Sequence, residues 1–163
     1  MDDREKELRS LLDTTAIRAL VDDYAEAADR GRSAELAALF APDGVLEISG
    51  ESFDAGLYTG REEILTRLEQ TRGLIPPGAE APLIRHHLST VRVRQSAPDK
   101  ARVDSYFLAV TATGPDHWGR YSDRVIATAT NGWCFAHRRV IHEGHAADSW
   151  LARGLATARG EAD

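Results

Sequence analysis

Two adjacent histidines, His86 and His87, stand in the run LIRHHLSTVRV, residues 83–93. Imidazole is the side chain whose ordinary pKa best suits proton transfer near neutral pH. The run has the β-branched, alternating texture of a strand, and a strand turns neighbouring side chains to opposite faces, so the two rings cannot share an environment. His87 shares its face with Ser89, Val91 and Val93, which are small or apolar. His86 is grouped with Thr90, Arg92 and Arg94. Strict alternation therefore turns His87 toward an interior and His86 toward the outer side of the sheet or a subunit contact. The competing reading of His87 is a core histidine satisfied by a backbone carbonyl.

Other groups able to do chemistry are spread along the chain. Asp29 lies at the edge of a helical apolar stripe, where its carboxylate either leans into a cavity or meets solvent. Tyr24 lies on the stripe itself, as core filling or as a phenol donor. Asp104 and Tyr106 share one face of a later strand while Ser105 and Phe107 share the other, and alternation leaves the inward face open. Asp104 and Tyr106 are candidate substrate contacts, as are Trp118 and Tyr121, placed to wall a cavity. Asp116 and His117, in GPDHW, read as turn residues. His142 and His145, in HEGH, lack the spacing and the third ligand of a zinc site, so no metal is expected. Cys134 reads as a small apolar residue. Arg138 and Arg139 point opposite ways, one toward a subunit interface and one toward water.

The elements that must position these groups follow from periodicity. Ile17, Leu20, Val21, Tyr24, Ala25 and Ala28 form one helical stripe, with Thr14 or Thr15 as cap and Gly31 at the end. Residues 4–12 read as a separate helical turn or an extension. Ser33 caps a short second helix over about 34–40, APDG reads as a turn, and GVLEI (44–48) as a strand. REEILTRLEQTR forms a third amphipathic helix. LIPPGAEAP (74–82) reads as a loop because its prolines remove backbone donors. Four β-like runs follow, at 83–96, 101–113, 119–130 and 133–142. Helices followed by an antiparallel meander specify an α+β domain with helices on one face of a curved sheet. Residues 1–145 form that domain, and 146–163 form a tail with a further helix around Trp150, placed to cover a cavity mouth.

Composition narrows the function classes. The chain has 163 residues, 42 % hydrophobic and 28 % charged, which suits one domain large enough for a core and a small-molecule cavity. A net charge of −6 with no basic stripe argues against nucleic acid as a partner. No stretch approaches the roughly 20 apolar residues of a membrane span. The opening MDDREKELRSLLD lacks the apolar core of a signal peptide, and the single cysteine fits a cytoplasmic setting.

Segments IRALVDDYAEAADRGRSAELAALFAPDGVLEI, YTGREEI, RHHLSTVRV, GPDHWGRYSDR and NGWCFAHRRV, in this order, resemble the nuclear transport factor 2-like superfamily. The resemblance is closest to its SnoaL-like branch of polyketide cyclases and dehydratases, and it covers about residues 10–145. It implies a cone-shaped α+β barrel whose helices and bent sheet enclose a pocket. In scytalone dehydratase-like and dehydrochlorinase-like members an aspartate just before the second helix pairs with a histidine on the first long strand. The matching positions here are Asp29 and His87. The second strand histidine of scytalone dehydratase-like members corresponds here to the hydroxyls or alanine of VTAT (110–113), a departure from their pattern.

What the resemblance implies is a cofactor-independent lyase, isomerase or cyclase acting on a small hydrophobic polyketide-, terpenoid- or aromatic-like substrate. Asp29, His87 and Tyr24 would be its catalytic residues, with no cofactor and a homodimeric or homotrimeric assembly. A non-catalytic binding or assembly module on the same fold is the alternative, because one fold hosts many functions.

Overall fold

The computed structural model describes residues 2–159 apart from 53, 73–82 and 131; the expected loop at 74–82 and the end of the tail lie outside the described residues. Helix α1 spans Asp3–Asp29 without a break. Its start is set by a reciprocal cap: the Asp2 carboxylate accepts the Glu5 N–H at 2.7 Å, and the Glu5 carboxylate accepts the Asp2 N–H at 2.9 Å. The expected start at Thr14 or Thr15 is therefore corrected, and Thr15 instead donates its hydroxyl back to the Leu11 carbonyl. The first half of α1 leaves Leu8, Leu11 and Leu12 exposed, while Ile17, Leu20, Val21 and Tyr24 are buried in the core.

Helix α2 (Ser33–Ala38) follows the left-handed Gly31, and β1 spans Phe40–Gly50. The APDG sequence read as a turn is a kink within β1, whose register against its partner shifts between Phe40 and Val45. Then come β2 (Gly56–Thr59), α3 (Arg61–Arg72), β3 (Ile84–Ala97), β4 (Lys100–Thr111), β5 (Gly114–Thr128), β6 (Gly132–His145) and α4 (Trp150–Arg159). The four-stranded meander expected from the second half of the chain is present.

All six strands form one sheet in the order β2-β1-β6-β5-β4-β3. Every neighbouring pair is antiparallel except β1 and β6, which run parallel. The sheet is curled and unclosed, and α1, α2 and α3 pack on its concave side through Ile17, Val21, Leu36 and Ile64 against Phe40, Leu46, Val103, Val125 and Phe135. This is the expected cone-shaped α+β architecture. Among the described residues, no helix is long and apolar enough to cross a membrane.

Candidate active site

A cavity of about 590 Å³ opens inside the cone, above the packed core. Most of its lining area is apolar, with Leu36, Leu46, Ile48, Leu68, Phe107 and Leu151 contributing, while the charged residues Arg30, Arg32, Arg72 and Arg85 line it as well. The carboxylate of Asp29 and the imidazoles of His86, His117 and His142 all line this space, together with the phenols of Tyr24 and Tyr121.

Asp29 is the last residue of α1, where a negative charge opposes the helix dipole. Donors from β3 offset that cost. Asp29 accepts the His86 backbone N–H at 3.0 and 3.2 Å and stands 2.6 Å from His86 Nδ1. An ionised carboxylate only accepts, so Nδ1 carries the proton and Nε2 is left with a free lone pair.

The partner of Asp29 is thus His86, and the assignment of His87 to the pocket is corrected. The reason is a bulge. Pairing of β3 with β4 runs regularly from Ile84 to Ser89, then resumes at Arg92 opposite Asp104, with Thr90 at a left-handed φ of 53°. One extra residue inverts the phase of a strand. Ile84, His86 and Leu88 face inward before it, Val91 and Val93 after it, and His87 is exposed on the outer face. The apolar company of Val91 and Val93, taken as the mark of His87's face, belongs to that of His86.

Opposite stands a second carboxylate–imidazole pair. Asp116 Oδ1 accepts from His117 Nδ1 at 2.8 Å, and both side chains are buried. GPDHW therefore does not end in a turn at these residues; it is the start of β5. A register shift against Ala109 and Val110 lets consecutive residues Asp116 and His117 both point inward. Across the sheet, His86 pairs with Ala109 and Ala109 pairs with His117, so the three form one row. Alanine leaves the middle of that row open, and the two imidazoles approach to 5.9 Å between ring centres. A second imidazole, absent from VTAT, stands beside His86 as His117, on β5.

His142 completes the polar surface, 5.2 Å from His117 between ring centres, with a buried Nδ1 that has no partner among the described residues. Burial pushes its pKa down to about 4, helped by His117. Burial likewise lowers His117, against the opposing pull of its bond to Asp116. Phe107 presses its ring edge-on or tilted against all three imidazoles at 5.7–6.1 Å and stacks on Tyr121 at 4.7 Å.

Beneath Tyr24 and Tyr121 lies an ion pair with no exposure at all. Arg138 donates to both oxygens of Asp123 at 3.0 and 2.9 Å, and its guanidinium sits over Tyr24, Tyr121 and Phe135 at 3.9, 4.1 and 4.3 Å. Arg138 is thus internal, which corrects its assignment to a subunit interface or to water. Burial pushes the Tyr24 phenol up to about 12 and raises Tyr121 as well, against the pull of Arg138. Both phenols stay protonated, as donors.

Of the residues singled out from sequence, Asp29, Tyr24 and Tyr121 come together at the cavity. Asp104, Tyr106 and Trp118 do not. Their outward direction follows from β4 and β5 burying Val103, Ser105, Phe107, Tyr121 and Asp123. Tyr106 is 52 % exposed, Trp118 39 %, and Asp104 is engaged with Arg94 and Ser122. Asp54, on the loop before β2, also lines the cavity and is held by the Ser52 hydroxyl and Arg67. Nothing in its local sequence marked it. Among the described residues no group of three or more His, Cys, Asp or Glu is arranged to hold a metal ion.

The comparisons with known proteins agree with this geometry at the level of fold. A candidate scytalone dehydratase of Novosphingobium aromaticivorans is 24 % identical, with 85 % of this chain and 89 % of that chain covered and a TM-score of 0.68. An NTF2-like protein of cystatin-like fold from Novosphingobium aromaticivorans is 24 % identical, covering 95 % and 97 %, with a TM-score of 0.72. ActVI-ORFA of Streptomyces coelicolor is 20 % identical, covering 80 % and 96 %, with a TM-score of 0.64. No curated protein sequence matches. The family model of the SnoaL-like domain matches residues 9–139, and with that span and this curled sheet the chain belongs to the SnoaL-like family of the nuclear transport factor 2-like superfamily.

Proposed function

We propose that the chain is a cofactor-independent lyase, isomerase or cyclase that moves a proton on a small hydrophobic substrate of polyketide, terpenoid or aromatic type. The observation that carries this reading is the 2.6 Å approach of Asp29 to His86 Nδ1 inside an apolar cavity. Asp29 fixes the tautomer and stabilises the imidazolium that forms when Nε2 accepts a proton. General-base catalysis of this kind is worth about 10² to 10⁴ in rate.

In an elimination, His86 Nε2 takes the proton from carbon next to a carbonyl. The C–H electrons form the enolate, whose oxygen accepts hydrogen bonds from Tyr24 or Tyr121. As the enolate collapses, the bond from the β-carbon to the hydroxyl breaks. The departing oxygen recovers the proton from the imidazolium and leaves as water. Isomerisation returns the same proton to a different carbon, and cyclisation uses the enolate carbon as nucleophile. His117, neutral and opposite, is placed to accept a hydrogen bond from a substrate hydroxyl.

The competing reading, a non-catalytic binding or assembly module on the same fold, requires no oriented imidazole. The test is incubation in D₂O with a panel of small aryl ketones and β-hydroxy ketones, following deuterium at the α-carbon and loss of water by mass spectrometry. Exchange or elimination by the wild type that disappears in His86→Ala supports the enzyme. Ligands that bind by calorimetry but never exchange support the module.

A further inference from the structure

The carboxylate of Asp116 has two customers. Oδ1 holds His117 Nδ1 at 2.8 Å, and Oδ2 accepts the backbone N–H of Trp150 at 2.6 Å. Trp150 is the first residue of α4, whose Trp150 and Leu151 line the cavity. Around this point the chain is tied down twice more: the Ala146 N–H donates to the Asp116 carbonyl at 2.8 Å, and the Ser149 hydroxyl caps the helix by accepting the Ala152 N–H at 2.9 Å. Asp116 and Ser149 are both buried, and Leu151 is almost completely so. The Ser149 cap serves only one of the N–H groups left over at the start of the helix, and Asp116 takes the Trp150 N–H. The same carboxylate thereby joins a helix that lines the cavity to an imidazole inside it.

We propose that Asp116 is a positioning residue that latches α4 to His117, so that the docked helix, through one shared carboxylate, fixes the ring of His117 in its working orientation. The proposal deepens the active-site reading above and rests on it only for the word "working"; the latch itself is testable without a substrate. When α4 is docked, Oδ2 is occupied, and Oδ1 is directed at the imidazole. When α4 lifts, Asp116 loses that donor and gains water, and the His117 ring is freed to turn. His117 also faces His86 and His142, with Asp54 near enough to act on it, so its titration reports the whole chamber.

The position of Trp150 allows the bond to be removed by itself. With Ser149 as the cap, Trp150 is the first helical position, where proline is tolerated because its missing N–H would otherwise lie outside the helix ladder. Trp150→Ala removes the indole and keeps the N–H; Trp150→Pro removes both. The readout is the imidazole spectrum of His117, by ¹H–¹⁵N NMR of the full chain. In Trp150→Ala, His117 keeps the Nδ1–H tautomer and the wild-type midpoint. In Trp150→Pro, its Nδ1–H exchanges with water about tenfold faster or more, and its midpoint rises as burial is relieved, while the His86 signals stay put. Equal His117 spectra in the two variants overturn the latch. Asp116→Asn supplies a second route should Trp150→Pro not fold. Its amide cannot accept at both oxygen positions, so amide exchange in α4 should quicken about tenfold, and wild-type exchange there also overturns the proposal. Loss of catalysis with an intact His117 response would strike the active-site reading and leave the latch standing.

Discussion

His86 and His117 face one another at 5.9 Å between ring centres although a whole strand, β4, runs between theirs. Each has its Nδ1 directed at an aspartate from a different part of the fold: Asp29 from the end of α1, and Asp116 from the bulge of β5. Both rings therefore present Nε2 as the free nitrogen. The pair forms two arms of one chamber; of the groups that orient them, Asp116 is buried outside the chamber's lining and Asp29 lines it beside His86. In the proposed reaction, proton transfer would depend on those aspartate contacts as much as on the imidazoles.

Asp29→Asn tests the aspartate contact of His86. An asparagine side chain can still accept one hydrogen bond but cannot stabilise an imidazolium, so kcat on any substrate the wild type turns over should fall about 10² to 10⁴ with KM changed little. His87→Ala, on the outer face, should leave kcat within about twofold. Steady-state kinetics of the two variants side by side checks both statements, and equal losses would remove the basis for choosing His86.

The order of elements, the meander and the inward stripe that carries Tyr24 were legible in the chain because helical stripes and turn sequences persist through the fold. Periodicity left Asp29 between cavity and solvent, and only the family resemblance turned it inward. Which histidines line the cavity was not legible. At Thr90 the strand slips by one residue at a position with no glycine or proline to announce it, and every phase argument that crosses it inverts. GPDHW carries the composition of a turn, yet its Asp116 and His117 are buried because neighbouring β4 supplies the register. Local composition fixes where chains tend to bend; cross-strand pairing decides which side chains then point inward.

Ala109 is the spacer that lets the two imidazoles approach. Fully buried in their row, it has no room for a larger side chain except between the rings. Ala109→Leu should cost about 1–3 kcal/mol by overpacking and should abolish turnover even where the protein remains folded. Urea unfolding with a parallel assay reads both effects. A stable variant with full activity would show that the rings work independently.

The Arg138–Asp123 pair should be intolerant of being halved. Asp123→Asn leaves a guanidinium without exposure or countercharge beneath Tyr24 and Tyr121, a loss of about 3–5 kcal/mol by analogy with other buried pairs. Replacing both at once, as Arg138→Met with Asp123→Leu, should recover most of it because the aromatic surroundings accept apolar side chains. A double-mutant cycle in urea measures the coupling, and additive losses would place the pair's value elsewhere.

His142 gives the fold a dependence on pH with a definite sign. Its pKa is held at about 4 in the folded chain, below the ordinary 6.5, so between those values the unfolded chain binds a proton that the folded chain refuses. Stability contributed by the neutral ring is complete above about pH 6.5 and is lost as pH falls toward 4, up to on the order of 3 kcal/mol. His117, lowered by the same cause, acts in the same direction. Carboxylates also titrate in this range, so the informative quantity is a difference. In His142→Asn, which keeps a polar group of similar reach without a titrating ring, the fall in urea-unfolding free energy between pH 6.5 and 4 should be shallower than in the wild type. Superimposable pH profiles would mean that the ring takes up its proton in the folded chain as readily as in water, and that the chamber is wetter than its apolar walls imply.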